Sequence, residues 1–379
     1  MTVWDDLVGQ EPVVDLLSRV VAEPGAMTHA WLFTGPPGSG RSNAALAFAA
    51  ALQCELGGCG ACSSCVSAAA GSHPDIAVVS TDGLSIGVDI ARDVVRRSAL
   101  HSALGRWQVL VVEDADRLTD QAANALLKAI EEPAPRTVWM LCAPAVEDVI
   151  VTIRSRCRAV LLRTPSTSAI SRLLVERDGV EPALAAATAA ASQGHIGRAR
   201  GLARDPAARD RRREILALPA GVGHLGDALV AAQRIDAEAT ARATTHCDVA
   251  DARELDDLKA AWGVEDRGRR PAGYAGALSA LTKEQERRRK RMARDAIDGV
   301  LLDLLAYCRD VITLQLEAVS GPDQLINADV AELAADSARL WTPESTMAAI
   351  DAIVECRAAL EANAAPLLAL ERLMARFVR

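Results

Sequence analysis

The chain has 379 residues, of which half are apolar and only 3% aromatic, and its formal net charge is −8 at pH 7. This length allows two or three domains, and the negative charge argues against wholesale wrapping by nucleic acid. No signal peptide opens the sequence, and no apolar run approaches the roughly 20 residues that span a membrane. We therefore expect a cytoplasmic protein whose cysteines are not paired in disulfides.

The first part of the chain predicts a helix, a strand and a glycine-rich turn. Apolar residues recur at helical spacing from Glu11 to Ala22, a strand-length apolar run ends at Thr34, and an Ala-rich helical pattern covers Asn43 to Leu52. The turn before the second helix contains Gly35, Gly38 and Gly40. Glycines let backbone N–H groups converge on one point, which the positive end of the following helix also faces, so we predict a phosphate-binding loop.

The end of this loop departs from the usual pattern. A phosphate loop ordinarily closes with Lys followed by Ser or Thr, where Lys reaches the terminal phosphates and the hydroxyl ligates Mg²⁺. Here Arg41 takes the place of Lys, while Ser42 keeps the hydroxyl. The sequence leaves open whether Arg41 permits any nucleotide binding.

Four cysteines follow the loop helix, with several glycines between them. They are Cys54, Cys59, Cys62 and Cys65. Four thiolates complete a tetrahedral Zn²⁺ shell at about 2.3 Å, and glycines allow the tight turns that this requires. The spacing predicts a structural zinc site. His73, farther along, is interpreted as a structural residue rather than an additional ligand.

A buried strand that ends in two acids supplies the next candidate element. Gln108 to Val112 is apolar in the manner of a parallel strand, and Glu113 and Asp114 follow it directly. Such acids suit a Walker B site, in which an Asp holds Mg²⁺ through water and the next Glu orients the attacking water. Here the order is reversed, so each reach is wrong by one methylene; solvated acids at a strand end are the alternative. Before this strand, we expect a short strand at Ile76 to Val79 and a helix from Val88 to Leu104.

The run NALLKAIEEP at positions 124–133 carries a family resemblance, together with Ser155-Arg156-Cys157 after a strand at Val138 to Leu141. Both closely resemble bacterial DNA polymerase III clamp-loader subunits, and the four cysteines and the Val8-Gly9-Gln10 box extend the similarity to roughly residues 1–210. The resemblance implies a RecA-like α/β AAA+ domain with a zinc module at 1–163. A small helical lid would cover 164–215 and an all-helical collar 216–379.

Within this family, gamma/tau subunits are the ATPase motors, whereas delta-prime subunits usually lack a competent ATP site. Arg41, the reversed Glu113-Asp114 pair and a sensor 1 segment at 141–144 without hydroxyls favour the delta-prime type. The resemblance therefore implies a degenerate nucleotide site and no independent ATPase, with ATP and Mg²⁺ bound by neighbouring subunits. The residues of that site would be Gly35, Gly38, Gly40, Arg41, Ser42, Glu113 and Asp114.

Arg156 is the one intact catalytic feature that the resemblance implies. In this family it acts as an arginine finger on the ATP of a neighbouring subunit, although alternating arginines near a strand start are more often surface residues. Arg198 falls in the sensor 2 region of the lid. The implied role is a stator that helps to load the sliding clamp onto primer–template DNA, with gamma/tau and delta as partners. A gamma/tau-type motor is the alternative, and a Holliday-junction ATPase is disfavoured by the cysteines and by NALLKAIEEP.

The remainder of the chain predicts helices and no strands. Asp251 to Gly276 is polar and is expected to form a long mobile loop. Lys283 to Arg294 is strongly basic and leads into an apolar helix from Ile297 to Leu316. This basic run suits either a solvated helix face or contact with a phosphate backbone. Amphipathic helices are expected from Ala328 to Arg379.

Overall fold

The computed structural model of the protein describes residues 2–81, 85–104, 106–264, 271–319, 321 and 324–378. These residues form two compact units, Met1–Ala203 and Arg204–Arg379. Across the described ranges, no helix is both long enough and apolar enough to cross a membrane.

The first unit is organised around a five-stranded parallel sheet in the order β2-β3-β4-β1-β5. Its strands are β1 (Ala30–Thr34), β2 (Ile76–Val79), β3 (Gln108–Val112), β4 (Thr137–Ala143) and β5 (Arg158–Leu161). Strands β1, β3 and β4 are buried along their whole length. Their continuous apolar character follows from helices covering both faces of the sheet. The α/β prediction for this part of the chain is confirmed.

Helices flank the strands on both faces. They are α1 (Glu11–Ala22), α2 (Arg41–Gln53), α3 (Ser63–Ala69), α4 (Val88–Ser98), α5 (Asp120–Glu131) and α6 (Val151–Arg154). On the face covered by α1 and α2, Trp31 meets Phe48 edge to face at 5.1 Å between ring centroids. On the opposite face, Leu32 of β1 and Trp139 of β4 belong to a core that includes α4 and α5. The sheet therefore separates two apolar cores.

Helix α4 ends earlier than the sequence predicts. The predicted helix ran to Leu104, but α4 stops at Ser98 and a turn follows. The carboxylate of Asp75 accepts hydrogen bonds from Ala103 N at 2.6 Å and from Leu104 N at 3.0 Å. Backbone groups that α4 would need for another turn are thus bound to the segment before β2, which sequence periodicity does not reveal.

Three further helices complete the first unit: α7 (Thr167–Glu176), α8 (Pro182–Ala191) and α9 (Ile196–Arg204). They enclose a small apolar cluster that includes Ile170, Leu174 and Ala199. Ser166 caps α7, since its hydroxyl accepts from Ala169 N at 3.2 Å. The prediction of two or three short helices between Ala169 and Asp205 is confirmed.

The regular elements among the described residues of the second unit are all helices. The helices are α10 (Pro206–Ala217), α11 (Leu225–Ala261), α12 (Tyr274–Gln315), α13 (Ala331–Leu340), α14 (Pro343–Glu361) and α15 (Pro366–Met374). The C-terminal half of α12 forms the centre of the core, with Leu301, Leu304 and Tyr307 almost fully buried. The Tyr307 hydroxyl donates a hydrogen bond to the carbonyl of Leu333 at 3.1 Å, which provides the partner that a buried hydroxyl requires.

Helices α11 and α12 form a long hairpin, and this corrects the loop predicted at Asp251 to Gly276. Residues 251–261 are the last turns of the 37-residue helix α11, and α12 begins at Tyr274. The predicted loop also included Arg267, Arg269 and Arg270, which lie outside the described residues. The polar composition of 251–261 favoured a loop over a helix. The structure shows that acids of this segment pair with arginines of α12, which the composition of the segment alone could not reveal.

The hairpin seam is ionic. Arg288 of α12 reaches Glu254 of α11 with Nη1 to Oε1 at 2.8 Å and Nη2 to Oε2 at 2.6 Å, and it also contacts Asp251. Arg289 lies 2.7 Å from Asp251, whose side chain is only 6% exposed. Hydrogen bonding to Arg288 lowers the pKa of Glu254. Part of the basic run Lys283–Arg294 therefore neutralises acids within the protein instead of facing solvent.

We predict that Arg288→Met destabilises the hairpin by about 2 kcal/mol, because Asp251 and Glu254 lose a partly buried cation. Native-state hydrogen exchange of α11 and α12 measures this directly. Arg287→Met is the matched control, since its contact with Glu284 is exposed and such pairs contribute about 0–1 kcal/mol. Equal protection in the two variants would contradict the assignment of the seam to Arg288.

Candidate functional site

The glycine loop lies between β1 and α2 and has the geometry of an anion site. Gly38 and Gly40 have φ angles of 82° and 89°, and Gly40 is the N-cap of the 13-residue helix α2. Gly35 also requires glycine, since a Cβ there would lie 2.6 Å from the carbonyl oxygen of Leu162. The side-chain oxygens of Thr34 and Ser39 are buried and, among the described residues, have no hydrogen-bond partner. The loop therefore presents polar groups, although the side chains around it are altered.

The cation of the loop is directed back into the loop itself. Arg41 Nη1 donates to the carbonyl oxygen of Gly35 at 2.9 Å. A Lys ammonium at this position would be a point charge on a flexible stem, whereas the planar guanidinium needs acceptors spread over a larger area. Here the protein supplies one of those acceptors. In this geometry, part of the hydrogen-bonding capacity of Arg41 is already used.

The acids predicted to form the Walker B pair follow β3 as expected. Glu113 N donates to the carbonyl of Val79 at 2.9 Å, and Asp114 lies 4.0 Å from Arg117. Farther along the same turn, burial raises the pKa of Asp116, and the charge of Asp114 adds to the rise. Arg41 acts in the opposite direction on Asp116, which brings the loop cation and these acids into one electrostatic group.

The position proposed for sensor 1 lies next to this group. Cys142 of β4 is buried, and burial raises the pKa of its thiol to about 12, with the charge of Glu113 adding to the effect. Arg41 and the hydroxyl of Ser42 act to lower the same pKa. A neutral, buried thiol offers little polarity to a nucleotide, in agreement with the absence of hydroxyls that the sequence analysis noted.

His195 covers the loop, and sequence reasoning missed this. A Cβ added to Gly38 would lie 2.6 Å from Cγ of His195, so the imidazole and the loop backbone are in direct contact. Nδ1 of His195 accepts from Arg198 N at 3.2 Å at the start of α9. Burial lowers the pKa of His195, and the positive charge of Arg198 lowers it further. The imidazole therefore packs directly against the loop backbone.

Gln10 is a second residue whose role was not apparent from the sequence. It is 2% exposed, and its Nε2 donates to the carbonyl oxygens of Ser39 at 3.2 Å and Arg163 at 2.6 Å. Its Oε1 accepts from Arg163 N at 3.1 Å. Gln10 thus ties the loop to the segment between β5 and α7. In the sequence, only the Val8-Gly9-Gln10 box singled out this residue, and it did not indicate that Gln10 contacts Ser39 and Arg163.

Arg156 lies at the amino ends of the strands, whereas the glycine loop lies at their carboxyl ends. It follows α6 and precedes β5, where Arg158 pairs with Trp31 of β1. The glycine loop begins at Gly35, beyond the carboxyl end of β1. Trp31 lies four residues before Gly35, so at about 3.3 Å per strand residue the start of β5 is about 13 Å from the loop along the strand direction, and Arg156 precedes that start. Arg156 is therefore not part of the loop site.

Arg156 is oriented by groups of its own neighbourhood. Its Nη1 donates to the Thr152 carbonyl at 2.5 Å and to Ser155 Oγ at 3.1 Å, and its Nη2 forms an ion pair with Glu131. The Arg156 side chain is nevertheless 35% exposed. A charged group of this kind, held in place but accessible, can meet an anion from outside the chain.

The four cysteines are brought together as predicted. Their Sγ atoms all lie within 4.8 Å of one another, and those of Cys54 and Cys62 are 3.7 Å apart. Tetrahedral Zn–S bonds of about 2.3 Å require S···S distances of about 3.8 Å, so the arrangement fits zinc. Burial raises the pKa of Cys54, but backbone donors from Cys59 and nearby residues lower it overall, to about 6. These donors favour a thiolate at Cys54.

His73 stays outside this cluster. Its Nδ1 accepts from Asp75 N at 3.1 Å, while its Nε2 is buried and has no partner among the described residues. The metal-compatible group found in those residues consists of the four cysteines alone.

Comparison with known proteins is informative for the first unit. Residues 9–166 match the family model described as DNA polymerase III, delta subunit. The matched stretch is less than half of the chain. Subunit delta' of Bacillus subtilis is 32% identical over 188 residues, covering 48% of this chain and 56% of the relative. Subunit delta' of Haemophilus influenzae is 37% identical over 174 residues, covering 45% and 53%.

Relatives named gamma/tau match about equally well. Subunit gamma/tau of Mycobacterium tuberculosis is 36% identical over 183 residues, covering 46% of this chain and 32% of the relative. The chain thus spans about a third of the gamma/tau relatives and about half of the delta' relatives that it matches. A solved DNA polymerase III gamma-subunit-related protein of Thermotoga maritima has a TM-score of 0.42 at 16% identity, covering 96% of this chain and 98% of that chain. Sequence identity alone does not separate the two types.

We predict that the purified chain contains close to one equivalent of zinc, and that Cys62→Ser lowers both zinc content and thermal stability, because a four-cysteine site contributes directly to folding. Metal analysis of protein prepared without added zinc measures the first. Cys308→Ser is the control, since Cys308 is a buried thiol of the second unit. A folded wild-type protein without metal would refute the site.

We further predict that Arg41→Lys combined with His195→Ala raises the affinity for Mg–ATP about tenfold or more above that of the wild type. The double variant frees the loop carbonyl and removes the ring from the loop backbone. Titration with a fluorescent ATP analogue measures the affinity. Arg41→Lys combined with His101→Ala serves as the control, because His101 is exposed. Unchanged affinity in the first variant would show that the loop is disabled by other groups.

Proposed function

We propose that the chain is a delta-prime-type stator of a bacterial DNA polymerase III clamp loader, which supplies Arg156 to the ATP site of a neighbouring motor subunit. The observation that carries this proposal is the state of the chain's own loop, whose cation Arg41 is bonded to the carbonyl oxygen of Gly35. A subunit with such a loop contributes to ATP hydrolysis through another chain.

Three features oppose independent hydrolysis. Arg41 is hydrogen-bonded to the carbonyl of Gly35, and His195 packs directly against Gly38 of the loop. Glu113 and Asp114 follow β3 in the reversed order, so Mg²⁺ and the attacking water would each be misplaced by about one bond length. We therefore expect no independent ATPase on this chain, with ATP and Mg²⁺ held by the neighbouring subunits.

The position of Arg156 supports action in trans. It is separated from the chain's own loop by the length of β1, and it faces solvent with a permanent positive charge. An arginine finger placed on a neighbour's phosphates accelerates hydrolysis by about 10³–10⁵ in related GTPases. The exposed edge of a rigid α/β body is a suitable place to present such a group to another subunit.

The remaining assignments follow from the family. We assign a RecA-like AAA+ domain to 1–163, a lid to 164–215 and a collar to 216–379. Zinc bound by the four cysteines has a structural role, because four protein ligands leave no open position for water. The partners are the gamma/tau and delta subunits and the sliding clamp, with primer–template DNA bound by the assembled complex.

A gamma/tau-type motor is the second candidate, because the Mycobacterium tuberculosis gamma/tau subunit, at 36% identity, matches this chain about as well as the delta' relatives do. The two candidates differ in one measurable property. A motor hydrolyses ATP on its own loop, whereas a stator does not. Turnover by the isolated chain at a motor's rate, abolished by Arg41→Ala, would establish the motor.

We predict that Arg156→Ala lowers DNA- and clamp-stimulated ATP turnover at the adjacent site by about a thousandfold, because one transition-state contact is lost. Zinc content, folding and complex assembly should remain unchanged. Steady-state ATPase assays and clamp loading by reconstituted complexes measure the effect.

Arg154→Ala is the matched control, since Arg154 ends α6 only two residues earlier. Arg156→Lys should recover only part of the rate, because a point charge lacks the two-donor fork. Equal rates for the wild type and Arg156→Ala would leave this chain as a scaffold without a finger.

A further inference from the structure

We propose that Glu131 is a positioning residue for Arg156, which orients the guanidinium so that one of its N–H edges faces a phosphate on the neighbouring subunit. This inference rests on the trans role proposed for Arg156. It concerns a contact within the chain, the ion pair between Arg156 Nη2 and the carboxylate of Glu131.

The donors of Arg156 can be counted. A guanidinium has five N–H donors, of which two are on Nη1, two on Nη2 and one on Nε. The Thr152 carbonyl and Ser155 Oγ take the Nη1 donors, and Glu131 binds at Nη2. Within the described residues Nε–H has no hydrogen-bond acceptor, and the ion pair at Nη2 leaves at least one of its N–H groups without one. Nε–H together with an Nη2–H can bind phosphate oxygens in a bidentate manner. The contacts within the chain thus orient Arg156 without using all of its donors.

The location of Glu131 requires a compensating cation. Glu131 is the last residue of α5, and a carboxylate there is repelled by the negative end of the helix dipole. Arg156 offsets that repulsion, and Ile130, which is fully buried, anchors the end of the helix. The side chain of Glu131 is 42% exposed, so the pair contributes little to stability and its main consequence is orientation.

Orientation has a kinetic consequence. A free arginine side chain loses rotamer entropy when it engages a phosphate, and a side chain that is already held loses less. The Glu131 carboxylate weakens the electrostatic attraction of Arg156 for anions but fixes its direction. Because the finger acts on charge that develops in the transition state, loss of Glu131 lowers kcat more than it raises KM.

The test uses reconstituted complexes in which only the ATP site facing this chain can hydrolyse ATP. Glu131→Ala should lower kcat about tenfold with KM changed by no more than about twofold, as expected for a misdirected transition-state contact. Glu131→Gln should retain kcat within about twofold, since an amide oxygen can still accept from Nη2. Glu132→Ala is the matched control, because Glu132 is the adjacent exposed acid.

A double-variant cycle separates positioning from a structural role. Glu131→Ala combined with Arg156→Ala should have the same kcat as Arg156→Ala alone, because the carboxylate acts only through Arg156. A further loss in the double variant, or wild-type kcat in Glu131→Ala, would overturn the positioning role and leave the stator in place. Wild-type kcat in Arg156→Ala would instead overturn the proposed function. If Glu131→Ala does not fold, Glu131→Asp, one methylene shorter, should show the same loss of kcat in part.

Discussion

The parallel pairing of β1 with β5 is the constraint on which the rest of the first unit depends. Parallel strands place all their amino ends at one edge of the sheet and all their carboxyl ends at the other. The loop that follows β1 and the arginine that precedes β5 must therefore lie on opposite edges, whatever their side chains are. The burial of β1 between β4 and β5 makes this separation rigid.

The end of the sheet that carries the glycine loop combines the backbone geometry of an anion site with side chains that depart from the usual phosphate-loop pattern. Gly38 and Gly40 have left-handed conformations, and α2 begins directly at the loop. Arg41 is bonded to the carbonyl of Gly35, and His195 packs against Gly38. Gly35 has a structural requirement of its own, since a Cβ there would disturb the packing of Leu162, which belongs to the core.

Local patterns predicted much of the fold, and contacts between distant segments account for the errors. Strands β2 and β3 and helix α1 have the predicted limits, because each is marked by its own apolar spacing. The end of α4 depends on Asp75, and the last turns of α11 depend on arginines of α12, neither of which a local window contains. The four cysteines were predictable from spacing. The contact of His195 with the loop, and the pairing of Glu131 with Arg156, were not, because each joins segments that are separate in the sequence.

The ionic seam of the α11–α12 hairpin also determines how the two helices can align. A slide of α12 by one turn, about 5.4 Å, would move Arg288 away from Glu254 and from the buried Asp251, and the slide that brings Glu284 to this position would place a third acid beside them. A seam of apolar side chains would tolerate such a slide at a small cost in free energy, because similar apolar contacts would form again after the shift. Charges at this point make the alternative alignment unfavourable, so the hairpin has one register. The ends of α11 and α12 are thereby held at fixed positions relative to each other.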